Sequence, residues 1–356
     1  ARYTYRKILI VAGQLEHDKT LIPILQRTAR QIPVISGILS NLHEVSGAIR
    51  YADAILSSLS EEKNRNLKPD LLISFGKSVI SKSLKNFLRK FPDIPHWHIQ
   101  SHHGATDPFK NLTKVLVAEP AAFFSILNDF DLGIDKHYVQ LWSTEDRGIA
   151  HSINTFFPQP ELGELELVKN IMDRLPSPCN LHLANSMSVR YAEYLGLATD
   201  REHIAVFSNR GTSGIDGCTS TAIGHSLSSE VINILITGDL AFFYDRNAFW
   251  HNYPLANLRI VLLNNHGGVI FKLIDGPAQL PEADDYFVTR QTLTAKNLCS
   301  EFGFDYLPVT SLKSLPAVLD DFFSAGNRTK ILELESSIEL NKTLFERFKK
   351  NISQHP

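Results

Sequence analysis

The sequence is poor in cysteine. Its three residues, Cys179, Cys218 and Cys299, lie far apart in 356. That excludes a disulfide framework and a Cys-x-x-Cys metal site, and it fits a reducing cytoplasm. There is no surplus of charge of either sign: 36 basic against 38 acidic side chains give a net −2, so no basic excess points to nucleic acid. No apolar run approaches the roughly 18–20 residues of a membrane span. Runs such as Ile8 to Ala12 and Ile260 to Leu263 have the length of a buried strand. Internal repeats and low-complexity tracts are lacking. A signal peptide would need a longer apolar stretch and a cleavage site, whereas Arg2-Tyr3-Thr4-Tyr5-Arg6-Lys7 leads straight into a strand. Because Ala1 is not an initiator methionine, the expectation is that the chain starts at a domain boundary with something removed upstream. What is present, 43% apolar and 21% charged residues, describes an ordered globular protein of about two domains.

Short β-like runs alternate with amphipathic stretches. Lys7–Gly13 and Asp70–Gly76 read as buried strands that end at glycine, and Trp97–Ser101 and Val115–Ala118 as weaker ones. Leu21–Gln31 and Val79–Arg89 have helical spacing. Strand–turn–helix alternation predicts an α/β protein of parallel strands with crossover helices. The prolines in Phe156–Gly163 break the rhythm and place a boundary near residue 155, giving domains 1–155 and 156–356. The rhythm resumes with strands at Leu181–Ala184, Ile204–Phe207, Val231–Thr237, Arg259–Leu263 and Lys330–Leu334, and with helices at Ser311–Ala325 and Ile338–Asn351. Asp275–Thr289 lacks periodicity and is expected to form a mobile loop.

Two strand ends carry chemistry. Ile236-Thr237-Gly238-Asp239-Leu240 is followed by Leu262-Leu263-Asn264-Asn265-His266-Gly267-Gly268, with Asp239 and Asn265 26 positions apart. In a parallel sheet the carboxyl ends of the strands line the ligand crevice. A carboxylate, an amide oxygen and an unobstructed backbone carbonyl at Gly267 form a hard-oxygen set suited to Mg²⁺ shared with a phosphate group. Taken alone, these are also two ordinary turns, Gly-Asp being a common turn dipeptide. A third stretch, Ser208-Asn209-Arg210-Gly211-Thr212-Ser213-Gly214-Ile215-Asp216-Gly217, is a glycine-rich turn into a small-residue helix from Cys218 to Gly224. Its N–H groups can face an anion, the alternative being a tight turn into a buried helix. Arg190 by itself would be a surface ion-pair residue, and Ile215, Ile270 and Phe271 would by default be core.

The spacing of Gly238-Asp239 and Asn264-Asn265 resembles the signature of thiamine-diphosphate enzymes. The 208–217 run is similar to the Asn-Arg-Gly-x-x-Gly-Ile-Asp-Gly motif of the 2-succinyl-5-enolpyruvyl-6-hydroxy-3-cyclohexene-1-carboxylate (SEPHCHC) synthase family of menaquinone biosynthesis. That family also has Gly-Asp-Leu where others have Gly-Asp-Gly, matching Leu240. Asn185-Ser186-Met187-Ser188-Val189-Arg190 resembles its Asn-Ser-x-x-x-Arg motif, and Gly267-Gly268-Val269-Ile270-Phe271 its Gly-Gly-x-Ile-Phe segment. Lys82 stands where the family places a substrate-facing lysine, beside Ser83 where some members have arginine.

The resemblance implies two consecutive doubly wound parallel-sheet domains, a middle domain and a diphosphate-binding domain. It implies a transferase using thiamine diphosphate with Mg²⁺ or Mn²⁺. The substrates would be 2-oxoglutarate, which loses CO₂, and isochorismate, which receives the remaining carbon unit. The metal would be held by Asp239, Asn265 and Gly267. The cofactor would meet Ser186, Gly211, Ile215, Asp239, Leu240, Ala241, Asn265, Gly267 and Ile270. Substrate would meet Lys82, Ser186, Arg190, Arg210, Ile270 and Phe271, the two arginines as bidentate carboxylate partners. The glutamate that activates the cofactor belongs to the family's N-terminal pyrimidine-binding domain, outside the stretch resembled. The chain is therefore expected to be an inactive part of a subunit that forms a homodimer or homotetramer, with no nucleic-acid or membrane partner. Another thiamine-diphosphate decarboxylase or carboligase, or a non-catalytic diphosphate-binding subunit, stays open. His96, His98, His102 and His103 cluster in sequence, with His96 and His98 set to share one strand face where Zn²⁺ ligands would stand, although the family has no metal there. His251 and His266 lie nearer the expected site and carry no assigned role.

Overall fold

The computed structural model describes residues 5–104, 106–157, 159–274 and 276–354, and all counts refer to these. The expected lead-in residues Arg2 to Thr4, Pro158 of the linker and Asp275 of the predicted loop lie outside them. The chain divides into two compact units. One comprises Ala1–Thr155 with Glu193–Glu202 and Lys349–Pro356, the other Phe156–Ala192 with His203–Phe348. Each is built on an all-parallel sheet with intervening helices, an α/β fold.

The first unit's strands are β1 (Ile8–Ala12), β2 (Val34–Ser36), β3 (Leu71–Phe75), β4 (His96–Gln100) and β5 (Leu112–Val117), in the order β2-β1-β3-β4-β5. β1 and β3 are buried along their whole length, which is why Ile-Leu-Ile-Val-Ala reads as continuous rather than alternating. Helix Leu21–Ala29 buries Leu21, Leu25, Thr28 and Ala29, one stripe at helical spacing. The helix expected from Val79 begins at Lys82 instead. Ser81 accepts the backbone N–H of Leu84 at 3.0 Å and so caps the helix, worth about 1 kcal/mol. The sequence reading passed over β2, a three-residue edge strand. The histidine pair has a local explanation: Ser74 Oγ lies 2.6 Å from His96 Nε2 and 2.8 Å from His98 Nδ1, so one hydroxyl serves both rings.

The second unit's strands are β6 (Cys179–Leu183), β7 (Ile204–Phe207), β8 (Ile232–Gly238), β9 (Leu258–Asn264), β10 (Asp305–Pro308) and β11 (Lys330–Glu335), in the order β10-β11-β9-β8-β6-β7. The order reverses between β6 and β8, because β7 lies on one side of β6 and the later strands on the other. β9, at the centre, is buried throughout. It carries a buried guanidinium, Arg259, satisfied by the carbonyls of Phe322 at 2.7 Å, Ser324 at 2.8 Å and Ala256 at 2.8 Å. Two of these end helix Leu315–Phe323, where a cation meets carbonyls left without helical partners.

The predicted loop before Thr289 is not irregular. Pro277–Gln279 forms a 3₁₀ turn and Ala283–Val288 a π-type turn. Lys272 and Arg290 pair with Asp284 at 2.7 and 3.4 Å. Short helical turns of this kind leave no extended periodicity to read. Among the described residues no helix is long and apolar enough to cross a membrane.

Candidate metal and diphosphate site

The carboxyl ends of β6, β8 and β9 and the turn after β7 surround a cavity of about 220 Å³. It sits at the β6/β8 reversal, where open α/β sheets bind ligands. Ser186, Arg190, Arg210, Ile215, Asp239, Leu240, Ala241, Asn265, Gly267, Ile270 and Phe271 line it. Eleven of the thirteen expected residues thus converge. Gly211 is exposed and is not among the lining residues. Lys82 belongs to the first unit, where it opens helix Lys82–Arg89. Ile215, a core residue by default, is 38% exposed, and Phe271 is half-buried, so neither is core. Ile270 is buried.

Asn185 organises one wall. Its Nδ2 donates to the carbonyls of Asn209 at 2.8 Å and Gly214 at 2.7 Å, and its Oδ1 accepts from Arg210 at 2.6 Å. Every hydrogen-bonding position of this buried amide ties the glycine-rich turn to the end of β6. Arg190 donates to the carbonyl of Ser186 at 2.7 Å. Two guanidinium groups therefore border the same cavity. Ser186, Ser213 and His266 hold φ values of 74°, 63° and 62°, a left-handed backbone that non-glycine residues adopt at some cost and that recurs at functional sites. His266 directs Nε2 to Glu335 at 3.4 Å.

The other wall is acidic and buried. Asp239 opens helix Asp239–Tyr244 directly after β8. Burial pushes its carboxyl up to about 6, against the hydrogen bond from Gln291 Nε2 at 2.7 Å. Glu164, 1% exposed, is pushed up to about 7 by burial. Hydrogen bonds from Asn265 and Tyr191 oppose that rise, and the charge of Asp239 adds to it. Asn265 Oδ1 is buried with no hydrogen-bond partner among the described residues. A Cβ on Gly267 would stand 2.9 Å from the Val288 carbonyl oxygen and 3.1 Å from Ile338, so the backbone here has room for no side chain. Two buried carboxyls and an unpartnered amide oxygen form an environment that an added cation would satisfy. The hard-oxygen set Asp239, Asn265 and Gly267 fits Mg²⁺ or Mn²⁺ beside a phosphate group.

A sequence profile for the middle domain of thiamine pyrophosphate enzymes matches residues 1–183, just over half the chain. The chain belongs to the thiamine pyrophosphate enzyme family. Within that family it is similar to proteins named SEPHCHC synthase. The one from Cytophaga hutchinsonii is 43% identical over 99% of this chain and 62% of the relative. Those from Flavobacterium johnsoniae and Phocaeicola vulgatus are each 32% identical, over 98% and 97% of this chain and 62% and 61% of the relative. The chain thus spans somewhat less than two thirds of the length of these curated relatives.

Three lining or adjoining residues escaped the sequence reading. Asn185 lies inside the Asn-Ser-x-x-x-Arg stretch, where the sequence alone gives it no role of its own. Glu164 had a signal: it falls on the apolar stripe of helix Glu164–Asp173 with Leu167, Val168 and Ile171, where a charge is out of place. Gln291 had none, since its partner Asp239 is brought to it only by the fold.

Proposed function

We propose that the chain carries the central and diphosphate-holding parts of a SEPHCHC synthase. That enzyme removes CO₂ from 2-oxoglutarate and transfers the remaining unit to isochorismate. The supporting observation is one cavity lined both by the Asp239, Asn265 and Gly267 oxygen set and by Arg190 and Arg210. Thiamine diphosphate, when bound, supplies the electron sink for loss of CO₂. Asp239, Asn265 Oδ1 and the Gly267 carbonyl would hold Mg²⁺ or Mn²⁺ against its diphosphate. Arg190 and Arg210 would each grip a carboxylate of a dicarboxylic substrate, orienting it and neutralising its charge. Ser186, which lines the same cavity, offers a hydroxyl donor. Ile215 at the rim would press on the cofactor's flank, and Leu240, Ala241, Ile270 and Phe271 would exclude water. Gly211 would approach the cofactor through its backbone. Lys82 is assigned to substrate by resemblance alone. A homodimer or homotetramer in the cytoplasm is part of this reading. Three buried cysteines, none in a disulfide among the described residues, support the reducing compartment.

The test is product analysis. The intact synthase supplied with thiamine diphosphate, Mg²⁺, isochorismate and either 2-oxoglutarate or pyruvate should release CO₂ and form the adduct only with 2-oxoglutarate. Arg190→Ala and Arg210→Ala should raise KM for it. Turnover of pyruvate in preference would overturn the substrate assignment.

A further inference from the structure

Glu164 is a buried carboxyl of the second unit outside the expected set. A carboxyl 1% exposed is costly to bury, and each of its oxygens is used. Oε1 accepts from Asn265 Nδ2 at 2.6 Å, and Oε2 accepts from the Tyr191 hydroxyl at 3.0 Å. Its own backbone N–H is pinned to Asn341 Oδ1 at 2.9 Å. The consequence falls on Asn265. A terminal amide can place either its oxygen or its NH₂ in a given direction. Here the NH₂ faces the Glu164 carboxyl oxygen, so the amide oxygen is turned the other way. That oxygen is the buried acceptor left without a partner at the cavity.

Asp239 has a parallel arrangement. Its Oδ2 accepts from Gln291 Nε2 at 2.7 Å, and the same Nε2 donates to Asn264 Oδ1 at 3.0 Å. Asn264 Nδ2 in turn donates to the buried Glu333 at 2.8 Å. Each of the two side-chain oxygen donors is thus held by a hydrogen-bonded arm that ends in a buried glutamate. This is the pattern by which outer partners orient metal ligands.

We propose that Glu164 is a positioning residue of the divalent-cation site, fixing the Asn265 amide so that Oδ1 is presented as a ligand. The proposal rests on the reading of the cavity given above. Its content is reach and geometry rather than charge, which two conservative variants separate. Glu164→Gln removes the charge but keeps an acceptor oxygen within reach of Asn265. Glu164→Asp keeps the charge but withdraws the acceptor by one methylene.

The experiment is Mn²⁺ binding to the full chain in the presence of thiamine diphosphate, read by electron paramagnetic resonance. Cooperative thermal unfolding of each variant is checked alongside. Glu164→Asp should weaken Mn²⁺ by about tenfold or more, the range found for outer partners of metal ligands. Glu164→Gln should stay within about threefold of wild type. In an Asn265→Ala background Glu164→Asp should add nothing, because its effect passes through Asn265. The reverse order, with Gln losing affinity and Asp keeping it, would overturn the proposal in favour of a charge effect. Equal binding by all three proteins would overturn it outright. If Glu164→Asp does not fold, loss of affinity in a cooperatively folded Glu164→Gln still overturns it. Absence of thiamine-diphosphate-dependent Mn²⁺ binding in the wild type would instead overturn the underlying reading of the site.

Discussion

The two units place a glycine at the end of a central strand and use it in opposite ways. In the first, Gly13 follows β1, and a Cβ there would stand 2.2 Å from the Lys77 carbonyl oxygen. The turn after β3 packs directly onto the end of β1, with Gln14 N–H to the Ser78 carbonyl at 2.9 Å and Lys77 N–H to the Gln14 carbonyl at 2.8 Å. The crevice is reduced to about 20 Å³. In the second, Gly238 ends β8 with nothing within 4 Å of where a Cβ would be, and about 220 Å³ stays open. The same sheet architecture offers a ligand crevice in each unit. In one, backbone fills it. In the other it is lined by carboxyls, amides and guanidinium groups.

The largest effect that would sharpen this contrast is acidification of the cation-free protein. In the first unit burial lowers His96 to about 4. The unfolded chain then protonates first, so stability is lost as pH falls from about 6.5 to about 4, by roughly 3 kcal/mol. In the second unit His182, also lowered to about 4, contributes the same loss. Glu164, raised to about 7, and Asp239, raised to about 6, act the other way. A raised carboxyl takes its proton first in the folded state, so acidification from about 7 towards 4.5 stabilises. Hydrogen exchange at pH 7 and pH 5, corrected for intrinsic rates, should show β1 and β3 losing protection while β8 and β9 hold it. Mg²⁺ with thiamine diphosphate should abolish the second unit's advantage by keeping its carboxyls ionised. Equal loosening of both sheets without the cation would break the contrast.

Next in size is Asp239→Ala. It should weaken thiamine-diphosphate-dependent Mn²⁺ binding by about a hundredfold, at or beyond the upper end for outer partners. Titration calorimetry measures it, and unchanged affinity would remove Asp239 from the site. Gly13→Ala should then cost about 2 kcal/mol in denaturant unfolding, because backbone must move. Gly238→Ala, the smallest effect, should fall within about 0.5 kcal/mol. Between them stands Arg210→Lys, which loses the planar fork and, on the proposed function, should raise KM for a dicarboxylic 2-keto acid about tenfold in steady-state assays of the intact synthase, with thermal stability unchanged.

Much of the fold and of the site was legible in sequence, and the illegible part has physical causes. β1, β3, β8 and β9 are buried strands whose apolar runs announce themselves. β2 and β10 are edge strands of three and four residues, and Asp305-Tyr306-Leu307-Pro308 carries no apolar run at all. The oxygen set was readable because strand-end spacing is local. Glu164 and Gln291 act through contacts 101 and 52 positions away, at Asn265 and Asp239, and no local pattern records such a distance. The two strand-end glycines look alike in sequence. Whether a glycine closes a crevice or leaves one open depends on the loop that arrives from elsewhere.

The central claim is that the open crevice of the second unit is a divalent-cation and diphosphate site. It is tested most directly by anomalous diffraction at the manganese edge from crystals of the protein grown with Mn²⁺ and thiamine diphosphate. One strong peak is expected within coordination distance of Asp239, Asn265 Oδ1 and the Gly267 carbonyl oxygen. A crevice without a peak, or a peak beside His96 and His98 in the first unit, would contradict it.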